Sequence, residues 1–218
     1  MTLDLFESAP VAGPQEESLG PGATLLRGFA LAQSAQVLEA IGQVARQAPF
    51  RHMTTPGGFR MSVAMTNCGA VGWVTDRSGY RYDPIDPTTH ERWPAMPPVL
   101  LALAARAAAR GGFADFQPDA CLINRYEPGT RLSLHQDRDE QDLRAPVVSV
   151  SLGLQAVFLF GGSRREDPTR AIPLAHGDVV VWGGVSRLWF HGVRPLKDGE
   201  HPVLGHQRIN LTFRRALS

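Results

Sequence analysis

The sequence predicts a mostly β protein in which two helices cover a double-sheet jelly roll. Three observations lead to this fold class. The second half of the 218-residue chain contains repeated short segments, apolar or alternating, that turn residues separate. Two other stretches, residues 34–47 and 98–110, repeat their apolar residues at helical spacing. No Gly-rich loop leads from a strand into a helix, which disfavours a nucleotide-binding α/β fold.

Both helices are expected to cover the sheet with their apolar faces. Ser34 can cap the first helix, and Pro49 lies just beyond its expected end. Gly111 and Gly112 follow the second helix and are expected to end it. The residues of the second helix that we expect to pack inward are Leu100, Leu101 and Leu103.

One short strand is expected before the first helix, at residues 23–28, and seven more after the second helix. The later strands are predicted at residues 120–126, 132–136, 147–154, 157–160, 178–182, 188–191 and 207–213. Turns such as Glu127-Pro128-Gly129 and Gly183-Gly184 separate them. In such a roll a binding site is expected at the mouth of the barrel.

The chain length favours one compact domain, residues 23–218, behind a loose N-terminal arm, residues 1–22, that is rich in Pro, Gly and Glu. Within that domain, residues 115–218 are expected to form the jelly-roll core. Residues 50–97 are dense in Gly, Pro and aromatic residues, so they form either a functional lid or a disordered segment. The aromatic residues favour a lid, although aromatic side chains can also simply anchor a loop to the core.

Bulk properties exclude several classes of protein. A net charge of +1 gives no indication of nucleic-acid binding. No segment approaches the ~20 apolar residues of a membrane span, and the acidic N-terminus is no secretory signal. We therefore expect a cytoplasmic protein without a membrane partner. Cys68 and Cys121 lie far apart, so neither a disulfide framework nor a zinc module is indicated.

The segment His135-Gln136-Asp137 is the first candidate site. Because alternate side chains of a strand share a face, His135 and Asp137 should point the same way. With a second histidine from a neighbouring strand, His191, they would form the facial triad of non-haem iron(II) oxygenases. His-x-Asp also occurs by chance in many chains, as ordinary surface or core residues.

The last predicted strand alternates cleanly between apolar and polar residues. One face carries Ile209, Leu211 and Phe213, and the other carries Arg208, Asn210, Thr212 and Arg214. The polar face could simply lie in water. Alternatively, the two guanidiniums and the amide line a cavity and bind an anion with two carboxylates, which planar guanidinium groups suit better than lysine does.

Several elements in a fixed order carry a likeness to a known family. They are Met65-Thr66-Asn67-Cys68-Gly69, Asn124-Arg125-Tyr126, His135-Gln136-Asp137, residues 145–153, His191 and residues 208–214. With them the chain resembles the AlkB family of iron(II)- and 2-oxoglutarate-dependent dioxygenases, which repair alkylated nucleic-acid bases. The resemblance implies Fe(II), 2-oxoglutarate and O2 as cofactor and co-substrates. It also implies oxidative demethylation of 1-methyladenine and 3-methylcytosine, with release of formaldehyde, succinate and CO2.

The resemblance also assigns the residues around the co-substrate. His135, Asp137 and His191 would hold the iron. Arg208 and Tyr126 would bind the distal carboxylate of 2-oxoglutarate, with Asn210 on the same strand face. Arg214 and Asn124 would lie near the end that chelates the metal.

On the substrate side, the resemblance makes residues 50–97 a nucleotide-recognition lid. Trp73 would stack on the damaged base opposite His135, with Met65 nearby. Tyr80, Arg81 and Tyr82 would contact the flanking phosphates. The expected partner is alkylated DNA, single- or double-stranded, with RNA as a further candidate, and the protein is expected to be a monomer.

Two further residues have an ordinary interpretation beside the functional one. Asp139 either contacts the exocyclic amino group of the base, as the resemblance implies, or lies in a solvated turn with Arg138 and Glu140. Arg165 is either a solvated charge or a substrate contact. Two other functions stay open: a related hydroxylase that acts on a protein or small molecule, and a non-catalytic jelly-roll binding module.

Overall fold

The computed structural model describes residues 15–217, and its strands form two main sheets and a separate hairpin. All strand pairs are antiparallel. The strands are β1 (Glu16–Gly20), β2 (Ala23–Leu26), β3 (Ala64–Gly69), β4 (Gly72–Asp76), β5 (Gly79–Asp83), β6 (Ala120–Tyr126), β7 (Leu132–His135), β8 (Val147–Gly153), β9 (Ala156–Phe160), β10 (Arg170–Leu174), β11 (Val179–Trp182), β12 (His191–Val193) and β13 (Arg208–Arg214).

The larger sheet has seven strands in the order β1-β2-β11-β8-β13-β6-β3, and the smaller has four in the order β10-β9-β12-β7. Apolar side chains of both sheets pack together between them, among them Phe158 and Phe160 of β9 and Trp182 of β11. The double-sheet jelly roll that the strand pattern predicts is confirmed.

Both predicted helices are present with the expected bounds, α1 at Ser34–Gln47 and α2 at Pro98–Arg110. They pack on the outer face of the larger sheet, where they share a core with Leu211 and Phe213 of β13. Two details of the prediction are wrong. Leu101 is 40% exposed, and Ser34 does not cap α1, because a 3-10 turn at Leu31–Gln33 leads directly into the helix.

The polar face of β13 does not lie in water. Ile209, Leu211 and Phe213 point outward to the helices, so Arg208, Asn210 and Arg214 point into the roll, where all three are buried. The alternation therefore does place two guanidiniums and an amide inside the molecule, as the cavity hypothesis requires.

Residues 50–97 are more regular than the sequence suggested. Ala64–Gly69 is a full strand of the larger sheet, paired with β6. The sequence did not indicate this strand, because its polar residues find their hydrogen-bond partners elsewhere in the chain. Thr66 donates to the Ala48 carbonyl oxygen at 2.6 Å, and the side chain of Asn67 bonds the backbone of Trp73. Only β4 and β5 form a separate hairpin.

Three further strand predictions need correction. Residues 16–20 of the expected loose arm form the edge strand β1, whereas residues 1–14 lie outside the described residues. Arg170–Leu174 is a strand that the sequence did not indicate, and its Pro173 is tolerated because β10 lies at the edge of its sheet. His191 begins a strand rather than ending one.

Among residues 15–217 no helix combines the length and the apolar character that a membrane crossing requires.

Gly69, at the end of β3, allows a matched test of the fold. Its φ is +125°, and an added Cβ would overlap the backbone oxygen of Asp119, whereas Gly79 has a φ of +118° with open space around it. We expect Gly79→Ala to cost about 1–2 kcal/mol from backbone strain alone. Gly69→Ala should cost about 2–5 kcal/mol, because overpacking is added to that strain.

Urea unfolding of the two variants beside the unsubstituted protein measures this difference. Equal losses of unfolding free energy in the two variants would show that the contact with Asp119 carries no weight.

Candidate active site

Three predicted metal ligands meet at the β7 edge of the smaller sheet. Pairing of β12 with β7 sets His191 opposite His135, and Asp137 follows in the loop after β7. The histidine rings are 4.4 Å apart between centroids, and one ligand atom from each of the three residues lies within 4.8 Å of the others. Two imidazole nitrogens and a carboxylate oxygen therefore converge as one face of a metal octahedron requires.

Backbone carbonyls fix the tautomer of both histidines. Nδ1 of His135 lies 2.9 Å from the Ser133 oxygen, and Nδ1 of His191 lies 3.0 Å from the Trp189 oxygen. A carbonyl can only accept, so each Nδ1 carries the proton and each Nε2 keeps a free lone pair. The histidine Nε2 atoms face Asp137, at 3.7 Å and 3.8 Å from its carboxylate oxygens. This donor set suits a divalent iron ion.

Arg214 orients the ligand carboxylate. Its Nε and Nη2 donate to Oδ2 of Asp137 at 2.9 Å and 2.8 Å. Burial is the largest influence and raises the pKa of Asp137, but the surrounding positive groups together, Arg214 first among them, hold that pKa below its ordinary value. Burial, aided by neighbouring His135, lowers the pKa of His191 to about 4. Asp137 is therefore anionic and His191 neutral at pH 7, the states that bind a metal.

Glu140 and Arg187 complete a buried charged cluster behind Asp137. Glu140 accepts from Tyr82 Oη at 2.7 Å and from Arg187 Nη2 at 3.0 Å, and Arg214 Nε lies 3.2 Å from it. Within the turn considered for Asp139, Arg138 and Asp139 are exposed, whereas the side chain of Glu140 is buried. Sequence analysis missed Arg187 altogether. Its only sequence signal is a single charge within the otherwise uncharged segment 183–190, shortly before His191.

A second site surrounds Arg208, further along the inner face of β13. Its Nε donates to Ser151 Oγ at 2.9 Å, and its guanidinium carbon lies 4.9 Å from the ring centroid of Tyr126. Nη1 is buried and has no hydrogen-bond partner among the described residues. Burial lowers the pKa of Arg208, and the neighbouring Tyr126 offsets that effect only in part. An unpaired buried guanidinium donor fits the carboxylate of a bound acid.

The two asparagines expected near the co-substrate lie opposite each other on β13 and β6. Nδ2 of Asn210 donates to Ser149 Oγ and to the Val150 oxygen, and its Oδ1 accepts from Thr212. The amide of Asn210 is thus engaged within the protein, whereas Asn124 is buried on the same inner face.

The β4–β5 hairpin brings an aromatic surface beside the metal loop. Nε1 of Trp73 donates to Oδ2 of Asp139 at 2.8 Å. Tyr80 stacks on Trp73 with ring centroids 5.7 Å apart and is half exposed. The structure therefore brings together Trp73, Tyr80 and Asp139. Asp139 lies two residues after the ligand Asp137 in the chain.

The other predicted substrate residues lie in different settings. Arg81 pairs with Asp76 and Asp83 on its own hairpin. Tyr82 turns its hydroxyl inward to Glu140, away from any position where it could meet a phosphate in solvent. Met65 is buried between the sheets.

Arg165 contacts the residues that precede two of the metal ligands in the chain. Its Nη1 donates to the Leu134 carbonyl oxygen at 2.7 Å, and its guanidinium carbon lies 4.9 Å from the ring centroid of Phe190. Leu134 and Phe190 are the sequence neighbours of the ligands His135 and His191.

Known proteins share this arrangement of sequence and fold. The 2OG-Fe(II) oxygenase superfamily profile matches residues 22–214. The chain is 60% identical over 214 residues to "Alpha-ketoglutarate-dependent dioxygenase AlkB" of Escherichia coli (strain K12), which covers 98% of each chain. It is 35% identical over 135 residues to "Nucleic acid dioxygenase ALKBH1" of Homo sapiens, covering 62% of this chain and 34% of the human one.

A solved structure, "The structure of OsALKBH1", superposes with a TM-score of 0.80 at 29% identity, and the match covers 92% of this chain and 100% of that one. The family profile and the E. coli relative each cover nearly the whole chain, including all three metal ligands. The chain therefore belongs to the AlkB family within the 2OG-Fe(II) oxygenase superfamily, and it is an iron(II)- and 2-oxoglutarate-dependent dioxygenase.

Proposed function

We propose that this dioxygenase repairs alkylated DNA by oxidative demethylation of 1-methyladenine and 3-methylcytosine, with methylated RNA as a further substrate. The observation that carries the proposal is the aromatic surface of Trp73 and Tyr80, which a hydrogen bond to Asp139 ties to the metal loop. Similarity to AlkB over 98% of the chain, and to a nucleic acid dioxygenase over part of it, supports this substrate class.

His135, Asp137 and His191 would hold iron(II), which with 2-oxoglutarate and O2 would supply the oxidation that hydroxylates an N-methyl carbon. The hydroxymethyl group then leaves as formaldehyde and restores the base, while the co-substrate becomes succinate and CO2. The residues of the chain hold the reactants in place. Hydrogen bonds within the protein orient the two Nε2 lone pairs and the Asp137 carboxylate.

For 2-oxoglutarate, we propose that Arg208 and Tyr126 hold the distal carboxylate. The unpaired Nη1 of Arg208 and the absence of a carboxylate near it among the described residues support this assignment. The chelating end would lie beside Arg214, whose guanidinium already contacts the ligand Asp137. Asn124 would complete that end, and Asn210 would hold the strand interior through Ser149.

The substrate base must leave its stack to reach the metal. Trp73 would provide the stacking face opposite His135, and Asp139 would favour the positive charge of a base methylated on a ring nitrogen. We propose that the β4–β5 hairpin serves as the nucleotide-recognition lid. Tyr80 and Arg165 would contact the flanking strand, while Arg81 and Tyr82 would first have to exchange their protein partners.

The cytoplasmic location, the monomeric state and the single domain over residues 23–218 stay predictions. Cell fractionation tests the location, light scattering tests the oligomeric state, and limited proteolysis tests the domain bounds.

Loss of the ligand carboxylate should abolish the activity. We expect Asp137→Ala to reduce formaldehyde release from a 1-methyladenine oligonucleotide by more than about 100-fold, because the two remaining ligands bind iron weakly. Removal of iron with a chelator should cause the same loss, because the oxidation requires the metal. The exposed Asp198 provides the control Asp198→Ala, which should retain activity. Full activity of Asp137→Ala would show that the carboxylate of Asp137 is not a metal ligand.

Arg208→Lys tests the distal carboxylate site. We expect the KM for 2-oxoglutarate to rise about 10-fold or more, because an ammonium group cannot replace the guanidinium fork. The KM for methylated DNA should stay unchanged. Arg164→Lys, on the surface, is the matched control. An unaltered KM for 2-oxoglutarate in Arg208→Lys would place the co-substrate elsewhere.

Trp73 tests the substrate class. Trp73→Ala should weaken binding of methylated oligonucleotide about 5- to 150-fold, the equivalent of 1–3 kcal/mol of stacking. Trp73→Phe should retain most of the binding, since it keeps a stacking face.

Turnover of 2-oxoglutarate without DNA should be the same in all three proteins, which separates a substrate effect from a damaged metal site. Methylated oligonucleotide should be assayed beside peptides and free amino acids. Hydroxylation of these in place of DNA would contradict the proposal.

A further inference from the structure

Arg187 has an unusual set of partners for a buried arginine. Its side chain is 3% exposed and follows a 3-10 turn at Gly184–Ser186. Nε donates to the Ala145 oxygen at 2.9 Å, Nη1 to the Asp137 backbone oxygen at 2.6 Å, and Nη2 to Glu140 Oε2 at 3.0 Å. One guanidinium thus holds three points of the loop that carries the ligand Asp137.

The segment that follows Arg187 leads to the third ligand. The Leu188 oxygen accepts from Nε2 of Gln136, which lies between the first two ligands. The Trp189 oxygen accepts from Nδ1 of His191 and fixes that ring. Residues 187–191 therefore contact the ligand loop at one end and orient a ligand at the other.

Stability alone is a weak reason to bury this group. An arginine taken out of water loses its hydration, and apolar residues of similar volume often serve a fold as well or better than a buried ion pair. Two of the three bonds of Arg187 go to backbone oxygens, and one of these belongs to a ligand residue. A lysine ammonium, a compact point charge, cannot span all three acceptors.

Charge balance links Arg187 to the carboxylate of Asp137 as well. Asp137 and Glu140 carry two negative charges, and Arg187 and Arg214 two positive ones. Arg187 satisfies one oxygen of Glu140, so that the other can accept from Tyr82 and lie beside Arg214. Arg214 in turn orients the Asp137 carboxylate.

We propose that Arg187 is a positioning residue of the metal centre. It holds the Asp137 loop against residues 187–191, so that Asp137 and His191 are already in place before the metal binds. The inference goes beyond the proposed repair function, because it concerns metal binding and holds for any substrate of this dioxygenase.

Arg187→Lys tests the proposal with cobalt(II) as the probe, by calorimetric titration of metal-free protein in the absence of DNA. We expect the Kd for cobalt(II) to rise about 10- to 100-fold, the usual effect of losing a partner that orients a metal ligand. The visible absorption band of the bound cobalt should change in shape, since the geometry around the ion is less uniform. If the unsubstituted protein binds cobalt(II) normally but does not repair methylated DNA, the repair proposal fails. Weaker cobalt binding in Arg187→Lys would still support the role of Arg187 in that case.

Two further variants exclude a merely structural role. Arg51 makes a two-point pair with the buried Asp86, with both contacts at 2.6 Å. Arg51→Lys should lower the unfolding free energy in urea but leave the cobalt Kd unchanged. In Arg187→Met/Glu140→Gln both charges are removed together, so no buried carboxylate is left unpaired if Arg187→Lys folds poorly. This double variant should also bind cobalt more weakly. A cobalt Kd equal to that of the unsubstituted protein in the folded Arg187 variants would overturn the proposal, and so would equal weakening in Arg51→Lys.

Discussion

Compensation of charge inside the roll is the constraint on which the rest of the site depends. The inner face buries two carboxylates, Asp137 and Glu140, together with the guanidiniums of Arg187, Arg208 and Arg214. Buried ions persist only when they are paired and hydrogen bonded. Four of these groups pair with one another. Arg208 is left over, with a free donor among the described residues. We propose that the anionic co-substrate supplies the charge that the fold does not.

Sequence pattern predicted those parts of the site that regular strands position. The alternation along Arg208–Arg214 identified which side chains enter the roll. The two-residue spacing of His135 and Asp137 predicted that their side chains point the same way, although the strand ends at His135. Both helices were predicted with their bounds, because their apolar spacing is long and unbroken. Each of these features depends on the residue pattern within one segment, so it can be predicted from the sequence without knowledge of tertiary contacts.

Tertiary pairing decided the rest. Glu140 and Arg187 are 47 residues apart in the chain, and nothing near either residue indicates that they meet. The strand Ala64–Gly69 was hidden because Thr66 and Asn67 look solvent-exposed until their partners are known. Conversely, each ligand histidine takes its orientation from the carbonyl two residues earlier in its own segment, a device that is local yet visible only in the structure.

The hydrogen bond between Trp73 and Asp139 has a consequence for the recognition of damage. The carboxylate that would face the base already has a neighbour, so an arriving ring must displace the indole N–H or share the oxygen with it. A ring that bears a formal positive charge competes for that oxygen far better than an undamaged, neutral one. Intact nucleotides would then be rejected at the binding step, before oxidation begins.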